Sequence, residues 1–185
     1  MNSNSLVFSG WLLLVSAGYG WFQSQGLGVV EVPGRVVRVV DGDTYDVLAA
    51  GVVRRVRLLE VDAPEADQPF GRQATDSVAK LLPVGQPVLF GRRGLDLYGR
   101  TLATLRVRPA GKGPCLALDS LLVVRGWAWA WKPLGRVAGR AAEQAAATAA
   151  RRGLWKCGPE GVLAPHQWRQ FGRAGKPRYQ VECAW

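Results

Sequence analysis

The sequence predicts a mainly β protein with helices, an α+β fold built on a small closed barrel of five strands with about three α-helices. Three observations carry this. Turn signals punctuate five short β-rich runs, and three other stretches repeat apolar or helix-forming residues at helical spacing. A length of 185 residues with 48% hydrophobic content suits one packed domain with tails. No internal repeat or low-complexity block is visible.

The first strand is expected over residues 35–40, ending at Asp41-Gly42-Asp43, a common turn signal. Residues 44–49 and 52–59 read as the next two. In the third strand, period-two alternation puts Arg55 and Arg57 on one face with Leu59, while Arg54 lies opposite. A first helix is predicted over residues 70–82, where Phe70, Ala74, Val78 and Leu81 recur at intervals of three to four. Strands at 87–90 and 101–107 flank a hairpin, Gly91 to Arg100, whose glycines permit tight turns. Residues 118–124 make a second, short helix. The third, over about 137–152, is rich in alanine and stops at Gly153 with Arg151 and Arg152 in its last turn.

Charge is uneven. Residues 1–30 carry no charged side chain, and residues 132–185 hold 10 basic against 3 acidic ones, which is +7 of the net +10. So basic a surface attracts nucleic-acid phosphates, with a strong salt dependence, and an acidic membrane surface equally. The uncharged leader, residues 1–28, has an apolar centre from Leu6 to Phe22 and a cleavage point at Val15-Ser16-Ala17. Export by signal is expected (secreted or periplasmic), with a retained membrane anchor or an internal apolar tail as the alternatives. Three cysteines agree with export, and Cys157 with Cys183 is the preferred bridge because it would pin the basic tail to the domain. The alternative is three reduced thiols. Zinc is improbable, since His166 is the only histidine and no Cys-x-x-Cys pair occurs. His166 itself reads as part of a packed tail.

Four stretches fit together as one site: Asp41-Gly42-Asp43-Thr44, Arg57 to Glu65, Asp96-Leu97-Tyr98-Gly99-Arg100, and Trp127 to Pro133. A phosphodiester is an anion that repels hydroxide, so its hydrolysis needs positive charge on the phosphoryl oxygens. Arg57 and Arg100 supply it, because a guanidinium matches phosphate with two parallel hydrogen bonds at any working pH. Asp43 and Asp62 offer a hard cation oxygen ligands only, which favours calcium or magnesium over zinc. Glu65 remains to orient or deprotonate water. Each residue has a plainer alternative: Asp41-Gly42 as a turn, Arg57 as a solvated strand charge, Asp62 and Glu65 as caps of the turn at Pro64.

On these motifs the chain resembles the staphylococcal nuclease, or thermonuclease, family. They run in the family's order from about Arg35 to Trp168. The resemblance implies an oligonucleotide-binding (OB) barrel over residues 31–169, with 170–185 as a basic C-terminal tail. It implies that Asp43, Asp62 and the main-chain carbonyl of Ala63 bind Ca2+, that Glu65 acts on the attacking water, and that Arg57 and Arg100 grip the scissile phosphate. Cleavage would leave a 3′-phosphate end. Ala63 departs from the best-known member, which carries threonine there. Residues 66–69 replace a long polar loop of that member, so substrate access is expected to be more open.

Trp129, Trp131 and Lys132 fall where the family contacts substrate base and leaving group; the alternative for both tryptophans is core packing, and Trp127 is expected in the core. The expected activity is a calcium-dependent endonuclease of low sequence specificity. Expected partners are single-stranded DNA and RNA, with duplex DNA a further candidate, for a monomer with a potential N-terminal membrane tether. Two alternatives are a non-catalytic nucleic-acid-binding barrel, which usually lacks one of the acidic or arginine positions, and a membrane-tethered adaptor, whose binding would ignore chelators. Here none of those positions is missing.

Overall fold

Strands in which alternate residues are apolar have one face to bury, and here five of them bury it by closing on each other. The computed structural model describes residues 29–108, 113–131, 139–160, 162–176 and Cys183. The leader, Lys132 and most of the tail beyond Lys176 lie outside the described residues. The chain runs β1 (Glu31–Val39), β2 (Thr44–Ala49), β3 (Val52–Leu58), a two-residue β4 (Val61–Asp62), α1 (Gly71–Leu81), β5 (Pro87–Leu95) and β6 (Thr101–Val107). Then come β7 (Leu116–Ala117), α2 (Leu118–Val124), β8 (Trp129–Ala130), α3 (Ala141–Ala149), a 3-10 turn at Gly153–Trp155 and a one-turn α4 (Pro165–Trp168).

The sheet order is β3-β2-β1-β5-β6, and β6 pairs back on β3 to close the barrel. The closing pair is parallel, with Val56 opposite Thr101, Arg57 opposite Leu102 and Leu58 opposite Ala103. It brings the Arg57 strand beside the strand that leaves the Arg100 hairpin. Separately, β4 pairs with β8, setting Asp62 opposite Trp129. Tyr45, Val47, Val56, Leu58, Phe90 and Leu105 fill the barrel, and α2 covers it with Leu118, Leu122 and Val123. A second cluster of Phe70, Ala74, Trp129, Ala147, Leu154 and Trp155 joins α1, β8 and α3 beside it.

The OB-type barrel and its three helices of seven residues or more agree with the expected architecture, while several boundaries move for tertiary reasons. Strand β5 continues to Leu95 rather than stopping at 90, because Gly91 to Leu95 keep pairing with β6 across a register shift between Arg92 and Gly94. Gly91 and Gly94 are strand interior, while Gly99 lies in the turn as expected, with φ 76°. Strand β1 starts at Glu31, which pairs with Gly91 of that same extension. Helix α1 begins after Phe70, whose backbone is left-handed at φ 68°. Helix α3 is shorter than 137–152: residues 137 and 138 lie outside the described residues, and Arg151 turns left-handed at φ 49° before Gly153 is reached. Strands β4, β7 and β8 and helix α4 are too short to leave a period in the sequence.

Cys157 and Cys183 form a disulfide with Cα atoms 6.1 Å apart, and Cys115 is free. Among the described residues no helix is long and apolar enough to cross a membrane.

Helix α1 backs directly onto the loop that carries Glu65. A Cβ on Gly71 would run into the Glu65 carbonyl, so only glycine lets the helix start there. Gly71→Ala is expected to lower unfolding free energy by about 1–3 kcal/mol, the usual range for overpacking, as read from urea unfolding.

Candidate active site

The turn after β1 is fixed by its own polar groups. The Asp43 N–H donates to Asp41 Oδ1 at 3.0 Å, Leu58 N–H donates to the Asp43 carbonyl at 2.9 Å, and the buried Tyr45 hydroxyl donates to the Gly42 carbonyl at 2.7 Å. Asp41 therefore shapes the turn from its edge. Asp43 reaches across to the next loop, where Oδ2 accepts the Ala63 N–H at 2.8 Å. The two loops touch at Gly42, where an added Cβ would lie 2.6 Å from the Ala63 Cβ.

Arg57 points outward from the barrel, on the face that alternation assigns it, and is then roofed by β4. Its Nη1 donates to the Leu58 carbonyl at 2.6 Å and the Val61 carbonyl at 2.8 Å. Its Nη2 lies 3.1 Å from both Asp43 Oδ2 and Asp62 Oδ1. Arg55, on the same face, pairs with Asp46 at the surface instead. Arg100 is held in its hairpin by Asp96, whose Oδ2 accepts Nε at 2.6 Å while Oδ1 accepts the Tyr98 and Arg100 backbone N–H groups. Leu97 and Tyr98 at the hairpin tip are fully or largely exposed.

Asp43, Arg57, Asp62, Ala63, Glu65, Tyr98 and Arg100 line one cleft of about 680 Å³. The Asp43 carboxyl is pushed up to about 7, chiefly by burial, against the pull of Arg57, with Asp41 and Asp62 adding to the rise and the Ala63 N–H opposing it. Among the described residues no group of three or more His, Cys, Asp or Glu side chains forms a metal-ligand cluster. The oxygens that could hold a cation in this cleft are those of the buried Asp43 and Asp62 and the neighbouring Ala63 carbonyl. An all-oxygen set with acidic side chains fits a hard divalent cation.

Residues 55–157 match the family model described as staphylococcal nuclease homologue. The chain belongs to the staphylococcal nuclease family. It is 33% identical to micrococcal nuclease of Shigella flexneri over 78% of this chain and 88% of that one. It is 38% identical to protein ParB of Escherichia coli over 76% and 80% respectively, and 37% identical to thermonuclease of Staphylococcus hyicus over 45% and 54%.

The nuclease cleft contains one further residue that sequence reasoning missed. Arg169, just after α4, lies with Nη1 2.6 Å from Glu65 Oε1 and Nη2 3.0 Å from Asp62 Oδ2. Its guanidinium is held above its ordinary value; partial burial opposes this, and hydrogen bonds to Asp62 and Glu65 outweigh it. The segment around it is fastened to the 65–68 loop: Trp168 Nε1 donates to Asp67 Oδ1 at 2.9 Å, Lys176 Nζ to Asp67 Oδ2 at 2.7 Å, and Gln68 Nε2 to the Leu163 carbonyl at 2.7 Å. This C-terminal strap therefore fastens onto the short 66–69 loop and buries Gln68, while Ala66 and Asp67 stay exposed. The available signal was an arginine following a tryptophan at the domain's end, and such a pair has no characteristic spacing.

The tryptophans divide. Trp129 is 8% exposed and meets Trp155 edge-on with centroids 5.4 Å apart, so core packing holds there and the substrate-contact expectation does not. Trp131 is half-buried and lies against His166 at 4.8 Å. Trp127, expected in the core, is half-buried with Arg125 over its ring at 4.8 Å, because it sits where the two apolar clusters meet the surface. Lys132 lies outside the described residues.

Two outcomes are expected. Gly42→Ala forces the Asp43 turn away from Ala63; it is expected to cost about 1–3 kcal/mol of stability, as overpacking does, and to lower kcat by about tenfold or more in a nuclease assay run well below the melting temperature. The Asp67 carboxyl is held below its usual range by Lys176 and then Trp168. Its stabilisation is therefore present above about pH 4 and lost as pH falls through the lowered folded value. Asp67→Asn should melt earlier than the native chain at pH 7, and thermal melts should show this gap closing below about pH 4.

Proposed function

We propose that this nuclease hydrolyses phosphodiester bonds of DNA and RNA with little sequence preference, uses calcium and leaves 3′-phosphate ends. The observation that carries the reading is the meeting of Arg57, Arg100, Asp43, Asp62 and Glu65 around one cleft. Two guanidinium groups face an anionic substrate there, next to a carboxylate able to handle water. A calcium ion held by Asp43, Asp62 and the Ala63 carbonyl would neutralise phosphoryl charge and make a bound water more acidic.

The chain's own residues do the rest. Arg57 is oriented in advance by the Leu58 and Val61 carbonyls, so its fork loses little freedom on meeting phosphate. Arg100, gripped at Nε by Asp96, presents its outer Nη edge to a second phosphoryl oxygen. Glu65 takes a proton from the attacking water or fixes its direction. The resulting hydroxide attacks phosphorus in line with the 5′-oxygen, that P–O bond breaks, and the 5′-oxygen gains a proton from solvent. Charge on five-coordinate phosphorus falls between Arg57 and Arg100.

The reading extends to the surroundings. Trp131, half-exposed beside His166, offers a base a face to stack on, and Lys132 follows it in sequence. The basic C-terminal third recruits substrate by charge. Export of a monomer, with the leader cleaved or kept as an anchor, is supported by the uncharged apolar stretch before Val29 and by the Cys157–Cys183 bridge.

Hydrolysis of single-stranded DNA and RNA with calcium and with a chelator tests the reading. Cleavage is expected with calcium only, and Glu65→Gln and Arg100→Ala are each expected to lower kcat by about 10²- to 10⁴-fold. Binding in calcium without any cleavage would leave a nucleic-acid-binding barrel as the better account.

A further inference from the structure

The reaction derived above gives Arg169 no part, yet its guanidinium forks across the two carboxylates that reaction uses most. Nη1 touches Glu65 Oε1 at 2.6 Å and Asp62 Oδ1 at 3.3 Å, while Nη2 touches Asp62 Oδ2 at 3.0 Å. Asp62 Oδ1 also accepts from Arg57 at 3.1 Å, so both oxygens of this buried carboxylate already face positive charge. The placement is built rather than incidental. Trp168 is buried beneath the strap and donates to Asp67, Lys176 caps the same carboxylate and lies over the Trp168 ring at 5.3 Å, and Gln68 holds Leu163. All three contacts attach the strap to the loop that carries Glu65. Arg169 itself is 49% exposed, which leaves it space to swing outward.

We propose that Arg169 is a positioning residue that doubles as a built-in counter-cation: it orients Glu65, and a divalent ion must displace it from Asp62 before the site is ready. This rests on the cation-dependent reading above. Asp62 cannot give both oxygens to a guanidinium and also ligate a divalent ion, because two cations at that distance repel each other strongly where water is scarce. Arg169 therefore raises the cation concentration the nuclease needs, while its bond to Glu65 keeps the water-handling carboxylate aimed into the cleft. Removing it should push two quantities in opposite senses. Asp62 keeps Arg57 but loses its second cationic partner and Glu65 is freed of Arg169, so the cation binds more tightly; Glu65 also loses its anchor, so turnover falls. A strap that served only to hold the fold together would weaken cation binding instead.

The test is calorimetric titration of the full chain with calcium alone, beside kcat measured at saturating calcium. Arg169→Met is expected to bind calcium about tenfold more tightly and to turn over about tenfold more slowly, with Arg169→Lys between it and the native chain because an ammonium cannot fork across both carboxylates. Asp67→Asn loosens the strap from outside the cleft and is expected to move both quantities the same way by about two- to threefold. Calcium affinity unchanged or weakened in Arg169→Met, with the native chain binding calcium and cleaving, overturns this inference alone. A native chain that neither binds calcium nor needs it for cleavage overturns both this inference and the cation-dependent reading.

Discussion

Arg57 brings a permanent charge into a pocket that leaves only 14% of its side chain exposed, and the surrounding structure is arranged to answer that charge. Two carbonyls and two carboxylates surround it, drawn from the turn before β2, from β3 and from β4. Removing either partner of such a buried pair typically costs about 3–5 kcal/mol, because the remaining charge is left without compensation. One turn and two strands are therefore held at one point by a single side chain. The same guanidinium that organises them also faces the cleft, so structural support and substrate recognition share one group.

Barrel closure makes this arrangement possible. The parallel pairing of β3 with β6 brings the strand of Arg57 beside the strand that leaves the Arg100 hairpin, although 43 positions separate the two arginines in sequence. Asp96 then fixes Arg100 from within the hairpin, independently of the carboxylates below. The two arginines are thus restrained by separate sets of contacts. Helix α1 completes the frame by pressing Gly71 against the Glu65 backbone. The C-terminal strap is tied to the short loop between them, with Asp67 as the common acceptor for Trp168 and Lys176.

Much of the site could be read directly from short motifs. Asp41-Gly42-Asp43 and the stretch from Arg57 to Glu65 are local, and each sets its own turn or strand alternation. Alternation separated Arg57 from Arg54 correctly, and the cleft gathers Asp43, Arg57, Asp62 and Glu65 from those motifs beside Arg100 from the hairpin. What misled was equally specific. Gly91 and Gly94 carry a turn signature, yet hydrogen bonds to β6 keep them in a strand, because ladder pairing outweighs a local preference worth about 1 kcal/mol. Trp129 and Trp131 are two residues apart and looked equivalent. The pairing of Trp129 with Asp62 in the β4–β8 ribbon turns one ring into the second core cluster and leaves the other beside His166.

The sequence by itself determined the barrel class, the helices long enough to show a period, and which residue types could meet a phosphodiester and a hard cation. Those properties depend on neighbours within a few positions, where chain stereochemistry sets the spacing. Only the tertiary structure decided that Arg169 joins Asp62 and Glu65 across more than 100 positions, that Asp43 reaches the Ala63 amide, and that Gly42 and Gly71 are points of closest approach. Contacts of that kind arise when separate elements pack, and a lone arginine or glycine bears no local mark of the partner it will meet.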